Sequence, residues 1–509
     1  MKSEELVETF VDVGPLFSLL SSQDHQVIYG RRGTGKTHCL KFLAERVKQE
    51  GQAAVLLDMR TTGSTGGTLT DSDLPLNERG TRLLADCLGA IHTALYEFGL
   101  RQANGLGQGS SFMTVLNALA DEIVNVRVVG SVEREASSSS SRSAETTSSA
   151  GISAGTNGVE GSIGSGTAET SQEESTGRIQ ESGILRHTIH FGAVGKQLQA
   201  LVSDLPDGKL WIVIDEWSVV PVELQPLLAD WLRRCLFPIR GVTVKIATIE
   251  RRSSFSVQGD AGDYIGIELG ADTSAVLDLD DFMVFENDEA QAVRFFGELL
   301  RKHVNAMMIT EGLDPIDSAD EFVGEAFDNS TETFGEFVRA AEGVPRDAIH
   351  IASLCAQSAN DQTIDLATVR RAARRWYQRD KESALTYQRA RDLLHWIIDK
   401  VLTEQRGAVF LLEERSASAH PLVELLYDAR VLHVLKKGVS ASDKLGERFD
   451  VYGLDFGCYV DFLASSEQPA NTPGENGVER LTVEQVSLDE YEPTPEKILD
   501  LSDFEGVEP

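Results

Sequence analysis

The sequence has few cysteines, and they form no recognisable pattern. The five cysteines are widely scattered, their number is odd, and no C-x-x-C occurs. This argues against a disulfide framework or a zinc site and favours a reducing compartment. No apolar run approaches the roughly 20 residues that cross a bilayer, and the acidic start MKSEELVETF lacks the apolar stretch of a signal peptide. We therefore expect a cytoplasmic protein without a membrane partner.

Basic residues are also scarce. The chain carries 47 Lys and Arg against 80 Asp and Glu, which gives a net charge of -33 at pH 7. Such an excess of acid repels nucleic acid at long range, although a whole-chain value can hide local basic surfaces. The 509 residues are too many for one compact core, so we expect about two or three domains.

Two stretches lack the apolar residues that a folded core needs. Residues 136–182 are rich in Gly, Ser, Thr and Glu and predict a disordered insertion, either a plain flexible loop or a regulatory, partner-binding one. Residues 466–509 predict an acidic, disordered tail. The tail is either solvated or docks on a partner or on its own chain through four apolar residues, Ile498, Leu499, Leu501 and Phe504.

Between these stretches, short apolar runs alternate with helical patterns. Val-rich and Ile-rich runs bounded by turn signals predict buried strands at 25–30, 53–59, 210–214 and 242–249. Strands separated by helices predict an α/β fold with a parallel sheet and crossover helices. Beyond about residue 286 the patterns are helical, at 288–304, at 334–356 and from 365, until β character returns at 408–462.

The first run leads into a complete phosphate-binding pattern, G-x-x-x-x-G-K-S/T, and a helical pattern follows it. Glycines let backbone N–H groups surround phosphates, and a helix N-terminus adds partial positive charge. We expect Lys36 to reach the β- and γ-phosphates of ATP and Thr37 to give a hydroxyl to Mg²⁺. The predicted nucleotide contacts are Gly30, Arg31, Arg32, Gly33, Thr34, Gly35, Lys36, Thr37 and His38.

Two acids, Asp215 and Glu216, follow the apolar run Leu-Trp-Ile-Val-Ile. Ligands of parallel sheets bind at the carboxyl ends of the strands. We expect Asp215 to hold Mg²⁺ through water and Glu216 to act as general base on the attacking water. The alternative is a strand that ends in acids at a solvated edge. Beside a complete phosphate loop, the pair favours ATP hydrolysis over binding alone.

The run at 242–249 supplies further candidates. Thr248, near its end, is a candidate catalytic residue that could touch the γ-phosphate or the attacking water. Arg251 or Arg252 could complete the site of a neighbouring subunit in trans, because a guanidinium matches phosphate oxygens. A homo-oligomer would then form. The alternative is a pair of surface arginines after a strand.

These residues resemble those of AAA+ ATPases, most closely the origin-recognition type of replication initiators and their bacterial relatives. The resemblance rests on the phosphate loop, the two acids, Thr248 and the sequence Gly343-Val344-Pro345-Arg346. It implies a P-loop three-layer αβα ATPase core, an α-helical lid and a small winged-helix-like α+β domain. It also implies that Arg346 reaches the γ-phosphate from the lid and couples lid angle to nucleotide state. The alternative for Arg346 is a plain helix N-terminal turn.

The segment 431–455 resembles the hairpin of a winged-helix domain. Its basic residues are Lys436, Lys437, Lys444 and Arg448. We predict a single helix between this hairpin and the strand before it, whereas a helix-turn-helix has two, and this weakens the expectation of base-specific reading. The alternative is an ordinary polar hairpin that packs on the lid or on a partner.

The most basic stretch lies between residues 370 and 391. It could follow a DNA backbone, pair with the acidic tail or a neighbouring subunit, or form a solvated helix surface. Its basic residues are Arg370, Arg371, Arg374, Arg375, Arg379, Lys381, Arg389 and Arg391.

We therefore expect an ATPase core at 1–286, a lid at 287–380, a winged-helix-like domain at 381–465 and the tail at 466–509. The predicted function is an ATP-binding and ATP-hydrolysing switch or motor that acts with DNA, in replication, mobile-element or defence processes. DNA contacts would come from 370–391 and from the wing at 436–448. The alternative is a signalling or scaffold ATPase that controls a partner protein without nucleic-acid contact.

Overall fold

The computed structural model divides the chain into two compact units. The first comprises residues 1–46, 245–253 and 274–509, and the second comprises 47–244 and 254–273. No helix in the part of the chain that the structure describes is long and apolar enough to cross a membrane. The described residues are 3–12, 14–62, 74–101, 110–123, 126–129, 132–134, 179–181, 184–187, 189–258, 264–273, 275–280, 289–405, 407–440, 447–465 and 497–505.

Strands and helices are numbered in chain order. The strands are β1 (Gln26–Tyr29), β2 (Ala53–Asp58), β3 (Val126–Val129), β4 (Val132–Arg134), β5 (Ile179–Glu181), β6 (Ile184–His187), β7 (Leu210–Asp215), β8 (Val242–Ala247), β9 (Ser256–Gln258), β10 (Tyr264–Gly266), β11 (Ala275–Asp278), β12 (Val409–Glu413), β13 (Leu432–Ser440) and β14 (Arg448–Leu454). The helices are α1 (Ser3–Glu8), α2 (Leu16–Leu20), α3 (Lys36–Gln49), α4 (Leu76–Arg101), α5 (Ser111–Ile123), α6 (Phe191–Asp204), α7 (Gln225–Trp231), α8 (Glu289–Thr310), α9 (Ala319–Ala326), α10 (Ser330–Ala341), α11 (Pro345–Ala359), α12 (Leu366–Trp376), α13 (Gln388–Ile398), α14 (Glu414–Ala419), α15 (Pro421–Asp428), α16 (Phe456–Ser465) and α17 (Leu501–Glu505). Helices α7, α12 and α13 continue as π-helical turns at Leu232–Leu236, Tyr377–Glu382 and Asp399–Glu404.

A parallel sheet of five strands, in the order β11-β1-β8-β7-β2, confirms the predicted α/β fold. In the first unit, β1 pairs with β11 and with β8, so that Gln26 lies opposite both Ala275 and Lys245. In the second unit, β2 pairs with β7, and this pairing ends at Asp58 opposite Asp215. Strands β1, β7 and β8 are buried along their whole length. Burial on both faces explains their nearly continuous apolar sequences.

The second unit carries extra helices and two short antiparallel strand pairs between β2 and β7. Helices α4 and α5 each bury one apolar face, which includes Leu88 and Leu116. Strand β3 pairs with β6, and β4 pairs with β5. The predicted insertion at 136–182 lies outside the described residues except for β5, which is a strand and not part of a structureless loop.

The lid helices follow the sheet, as predicted, with one correction. The single helix predicted at 334–356 is two helices, α10 and α11. Glu342 and Gly343 adopt φ values of +50° and +71° between them. This left-handed pair ends α10, and Pro345 begins α11 at a position where proline is tolerated. The break creates the turn that carries Arg346.

The C-terminal domain runs α13-β12-α14-α15-β13-β14, and its three strands form a sheet in the order β12-β14-β13. Both strand pairs are antiparallel. The expectation of a single helix between β12 and β13 was wrong, because α14 and α15 both fit there. His420 is extended, and Pro421 starts α15 as its first helical residue, so a short connection separates two short helices.

Part of the predicted tail packs on this domain. Ile498 forms a parallel bridge with Leu411, and the Leu499 N–H donates to the Leu411 carbonyl at 2.9 Å. Leu499, Leu501 and Phe504 are buried in the domain core. The docking alternative is therefore correct for this segment, and the expectation of a disordered tail is wrong there. The remaining tail, 466–496 and 506–509, lies outside the described residues.

Candidate nucleotide-binding site

The loop between β1 and α3 has the backbone that phosphate binding requires. Gly33 and Gly35 adopt φ values of +94° and +95°, a region that a residue with a Cβ rarely occupies. Helix α3 begins at Lys36, and the Cys39 N–H donates to the Gly35 carbonyl at 2.9 Å. The N–H groups that precede this bond have no partner within the helix, so the helix start suits an anion.

The Lys36 ammonium lies within this loop. Its Nζ donates to the carbonyls of Gly30 at 2.7 Å and of Arg31 at 2.8 Å. The buried Thr34 hydroxyl donates to the same Arg31 carbonyl at 2.9 Å. These bonds hold the Lys36 ammonium inside the loop that the motif predicts to bind the phosphates of ATP.

The turn at the start of α11 packs directly on the loop. The Arg346 N–H donates to the Gly33 carbonyl at 3.3 Å. A Cβ on Gly33 would lie 2.9 Å from Val344 Cγ1 and 3.0 Å from Arg346 Cβ, so this close approach also requires glycine. The Arg346 side chain is exposed. The structure brings Arg346 to the phosphate loop, as the resemblance implies, and its contact with a γ-phosphate stays a prediction.

Thr248 lies one residue beyond β8, beside the end of β1. Its N–H donates to the Ile28 carbonyl at 3.0 Å. Its hydroxyl is fully buried and has no hydrogen-bond partner among the described residues. A buried hydroxyl without a partner is costly. The Thr248 hydroxyl could bond to a water molecule or a phosphate oxygen. Its predicted contact with the γ-phosphate or the attacking water stays a prediction.

The hydrogen-bond donors of Arg31 are engaged by other residues of the protein. Its N–H and its Nε both donate to the Asp280 carboxylate, each at 3.0 Å. Its Nη2 donates to the Glu342 carbonyl at 3.0 Å, and its Nη1 contacts Nδ1 of His433. Burial opposes the charge, but Asp280 and Tyr427 outweigh it and raise the pKa of Arg31. The structure shows the donors of Arg31 bound inside the protein, and its contact with nucleotide stays a prediction.

The neighbouring predicted contacts differ from Arg31. Arg32 is exposed and stays a candidate. The His38 ring lies on α3, where Nε2 contacts the Leu6 carbonyl at 2.8 Å and the ring packs edge-on against Phe10. Burial lowers the pKa of His38. Its side chain thus connects α3 to the N-terminal segment, and the predicted contact of His38 with nucleotide stays a prediction.

The acid pair belongs to the second unit. Asp215 is buried, and its Oδ1 accepts the Glu216 N–H at 2.9 Å. Glu216 adopts φ +57°, a conformation that is uncommon for a residue with a side chain and frequent at functional sites. Arg60 Nη1 lies 3.7 Å from Glu216 Oε1 while Arg60 Nη2 binds Asp58 at 2.6 Å.

Sequence reasoning missed Arg60. Arg60 lies two residues after Asp58, the last residue of β2. Between them, the Met59 N–H donates to the Asp215 carbonyl at 3.1 Å. This bond fixes the end of β2 to the end of β7 within the second unit. The signal that could have found Arg60 is a polar residue just after a strand of a parallel sheet.

Arg251 and Arg252, the candidates for action across subunits, bind within their own chain. Arg251 contacts the Tyr452 hydroxyl, and its guanidinium lies over the Tyr427 ring at 5.0 Å. Arg252 pairs with Asp428. Both side chains are therefore engaged by the C-terminal domain, and the expectation that either reaches a neighbouring subunit finds no support in this geometry.

The predicted basic surfaces are partly neutralised. Arg370 pairs with Glu336 and Arg374 with Asp461, at 2.7 and 2.6 Å. The wing lysine Lys437 pairs with Glu250 at 2.5 Å. Arg375, Arg379 and Arg389 are exposed. Lys444 lies outside the described residues. Fewer basic side chains are thus available to a DNA backbone than the sequence suggests.

A buried charge cluster, unforeseen from the sequence, lies between the lid and the C-terminal domain. Lys381 binds Asp347 at 3.0 Å and Asp455 at 2.5 Å, and all three are almost fully buried. Arg430 binds Asp347 at 3.3 Å. Burial disfavours these charges, but Asp347 and Asp455 raise the pKa of Lys381 to about 12. The ions therefore stay charged because they are paired.

Three groups at the edge of this cluster, Glu342, His433 and Asp455, come within 4.8 Å of one another. This spacing could suit a metal ion. However, Arg31 contacts His433 and Lys381 binds Asp455, so cations of the protein already occupy these groups. The cluster is better described as a structural ion network than as a metal site.

Strand β1, the glycine loop and the start of α3 form the strand–loop–helix unit that the phosphate-binding pattern requires, and the turn before α11 packs on it. Residues 1–56 match the family model described as ORC-CDC6-like. This match confirms the resemblance to origin-recognition-type AAA+ proteins. A comparison with curated proteins gives no match.

The solved structures that match the chain include two DNA-associated proteins by their titles. One is Orc1 of Aeropyrum pernix in complex with DNA, 14% identical with a TM-score of 0.32, over 92% of this chain and 97% of that chain. The other is the RuvB Holliday junction branch migration motor of Thermotoga maritima, 12% identical with a TM-score of 0.32, over 79% of this chain and 81% of that chain.

Proposed function

We propose that this protein is an ATPase of the AAA+ class that binds ATP at residues 30–37 and hydrolyses it to ADP and phosphate. The observation that carries the proposal is the packing of the Arg346 turn on Gly33, at the start of α3. This packing places a helix N-terminus, Lys36 and a lid arginine around one loop. The buried, unpaired Thr248 hydroxyl supports the same conclusion.

The chain's own residues supply the steps of the proposed reaction. Backbone N–H groups at the start of α3 and Lys36 bind the phosphates. Glu216 accepts a proton from water as the water oxygen bonds to the γ-phosphorus, and the bond to the β–γ bridging oxygen breaks. Thr248 orients that water or a γ-oxygen. Thr37 and Asp215 would hold Mg²⁺, which neutralises phosphate charge when bound.

Nucleotide binding is expected to depend on Lys36. Lys36→Ala should weaken ATP affinity by about 10- to 100-fold, because a hydrogen bond to a charged group contributes roughly 1.5–3 kcal/mol. Titration of a fluorescent ATP analogue against the full chain, with Mg²⁺, measures this effect. Lys48→Ala is the matched control, since Lys48 lies on the same helix and is exposed. Equal weakening by both variants, or none by Lys36→Ala, would refute the assignment.

We further propose that the ATPase acts with DNA. The strand and helix order of the C-terminal domain, with two helices before a two-stranded hairpin, is what a winged-helix domain requires. The exposed Arg375, Arg379 and Arg389 supply positive charge near it. The alternative is an ATPase that controls a partner protein, and the net charge of -33 favours that alternative.

DNA affinity measured against salt separates these functions. If DNA is bound through Arg375, Arg379 and Arg389, the triple Arg→Glu variant at these positions should lower the slope of log affinity against log salt by about 2–3. A triple Arg→Glu variant at the exposed residues 46, 101 and 240 is matched in charge and should lower it less. No binding by the wild-type protein at low salt, with or without ATP, would favour the partner-protein function.

A further inference from the structure

One buried side chain, Arg31, connects the phosphate loop to three other elements. It binds Asp280 just after β11, the Glu342 carbonyl in the lid turn, and His433 on β13. Its side chain is only 3% exposed. Five guanidinium N–H donors in a rigid fork suit this kind of multiple contact, and a lysine could not make it.

The contacts of His433 continue away from the loop. His433 Nε2 lies 3.4 Å from Asp455 Oδ2, and Asp455 binds Lys381. Lys381 binds Asp347 at 3.0 Å. Asp347 directly follows Arg346 in α11, and the Arg346 N–H returns to the Gly33 carbonyl.

These contacts form a closed circuit, in which the side chains of Arg31, His433, Asp455, Lys381 and Asp347 are buried. It leaves the phosphate loop at Arg31, passes through the C-terminal domain, enters the lid and returns to the loop at Gly33. A substitution at His433 therefore affects the phosphate loop by two routes, through Arg31 and through the contacts that lead to Arg346. By contrast, the contacts of a surface ion pair are local, exchange with water and transmit little.

The protonation state of His433 matches its place in the circuit. Burial and then the charge of Arg31 lower its pKa to about 4, so the ring is neutral near pH 7. A neutral imidazole accepts at one nitrogen and donates at the other. Nδ1 can therefore accept from Arg31 while the Nε2–H donates to Asp455. Asp455 is ionised, because Lys381 and His433 outweigh its burial and lower its pKa to about 2.

We infer that His433 of the C-terminal domain is a positioning residue for the nucleotide site. It orients Arg31, and through Asp455 and Lys381 it fixes the helix that carries Arg346. The C-terminal domain is thereby part of the machinery that shapes the phosphate loop, although it touches no nucleotide. This inference rests on the proposed ATP site for its effect on affinity, and on the geometry alone for its effect on the loop.

The test compares His433→Leu with His433→Gln in the full chain. Leucine fills similar space without polar groups, whereas a glutamine amide can accept from Arg31 and donate to Asp455. In His433→Leu, amide hydrogen exchange at residues 30–37 and 342–346 should accelerate about tenfold without nucleotide, and KM for ATP should rise about tenfold or more. In His433→Gln both should stay within about threefold of the wild type.

Arg31→Lys provides a second variant if His433→Leu does not fold. It keeps the charge but loses the fork, and it should show the same faster exchange at the lid turn. Exchange at both segments unchanged in a folded His433→Leu or Arg31→Lys protein would overturn the inference. So would equal defects in His433→Leu and His433→Gln, which would indicate a role in packing alone. Failure of the wild type to bind ATP would refute the proposed function and leave the exchange result to decide the inference.

Discussion

Glu216→Gln is expected to lower ATP turnover by about 10²- to 10⁴-fold, the usual contribution of a positioned general base. The amide keeps the shape of the side chain but cannot accept the proton of the attacking water. ATP affinity should change little, because the phosphate loop and Lys36 remain intact. Phosphate release under saturating ATP measures the first quantity, and equilibrium titration measures the second.

Glu223→Gln is the matched control for this experiment. Glu223 lies in the same unit, is half-exposed and pairs with Arg79, whose side chain is 11% exposed. Its loss should leave turnover within about twofold, since exposed ion pairs contribute little. If Glu216→Gln turned over ATP like the wild type, Glu216 would not be the base. If it lost ATP affinity as well, its role would be structural.

Lys381→Met is expected to lower the free energy of unfolding by about 3–5 kcal/mol, because it removes the cation that pairs with the buried carboxylates of Asp347 and Asp455. Asp347 keeps Arg430, and Asp455 keeps its contacts with the neutral His433 ring and with the Cys458 N–H. A methionine of similar volume fills the space but cannot pair with either acid. The shift in the calorimetric unfolding temperature of the full chain reports the loss.

A surface lysine gives the comparison. Lys400→Met removes an exposed pair with Glu404 four residues along one helix, and it should cost less than about 1 kcal/mol. Adding Asp455→Asn to Lys381→Met should restore part of the lost stability, since the carboxylate charge that has lost its cation is then removed. A Lys381→Met protein as stable as the wild type would show that the buried pairing is not needed for folding.

The sequence was sufficient for the parts of the site that short-range chemistry dictates. Glycines at fixed positions before a helix identify a phosphate loop, because few other loop conformations require glycine at those positions. Thr248 was predicted from its place near a strand end, and the structure puts it there, buried and unpaired. Arg346 was placed near the loop by resemblance, and the packing of its turn on Gly33 agrees.

The sequence could not reveal which charged side chains turn inward. Arg31 occupies a variable position of the motif, so its pattern says nothing about its partners, and those partners lie far along the chain at Asp280 and His433. The basic residues at 370–391 were expected to lie on an exposed helix surface. One of them, Lys381, is only 1% exposed. Such burial depends on tertiary pairing between distant acids, which no local periodicity records.

Local breaks were also hard to predict. Helices α10 and α11 were taken as one because apolar spacing continues across the turn, and only the left-handed Glu342-Gly343 pair separates them. The short helix α14 has too few apolar residues for its period to be recognised. In both places backbone conformation, rather than hydrophobic pattern, decided the structure.

The most direct test of the central claim is phosphate release from Mg²⁺-ATP by the full-length protein, measured beside its Lys36→Ala variant. We expect steady release by the wild-type protein that is saturable in ATP, and release by Lys36→Ala near the level of buffer. A wild-type protein that releases no phosphate above buffer, or a Lys36→Ala protein that releases it equally fast, would contradict the account.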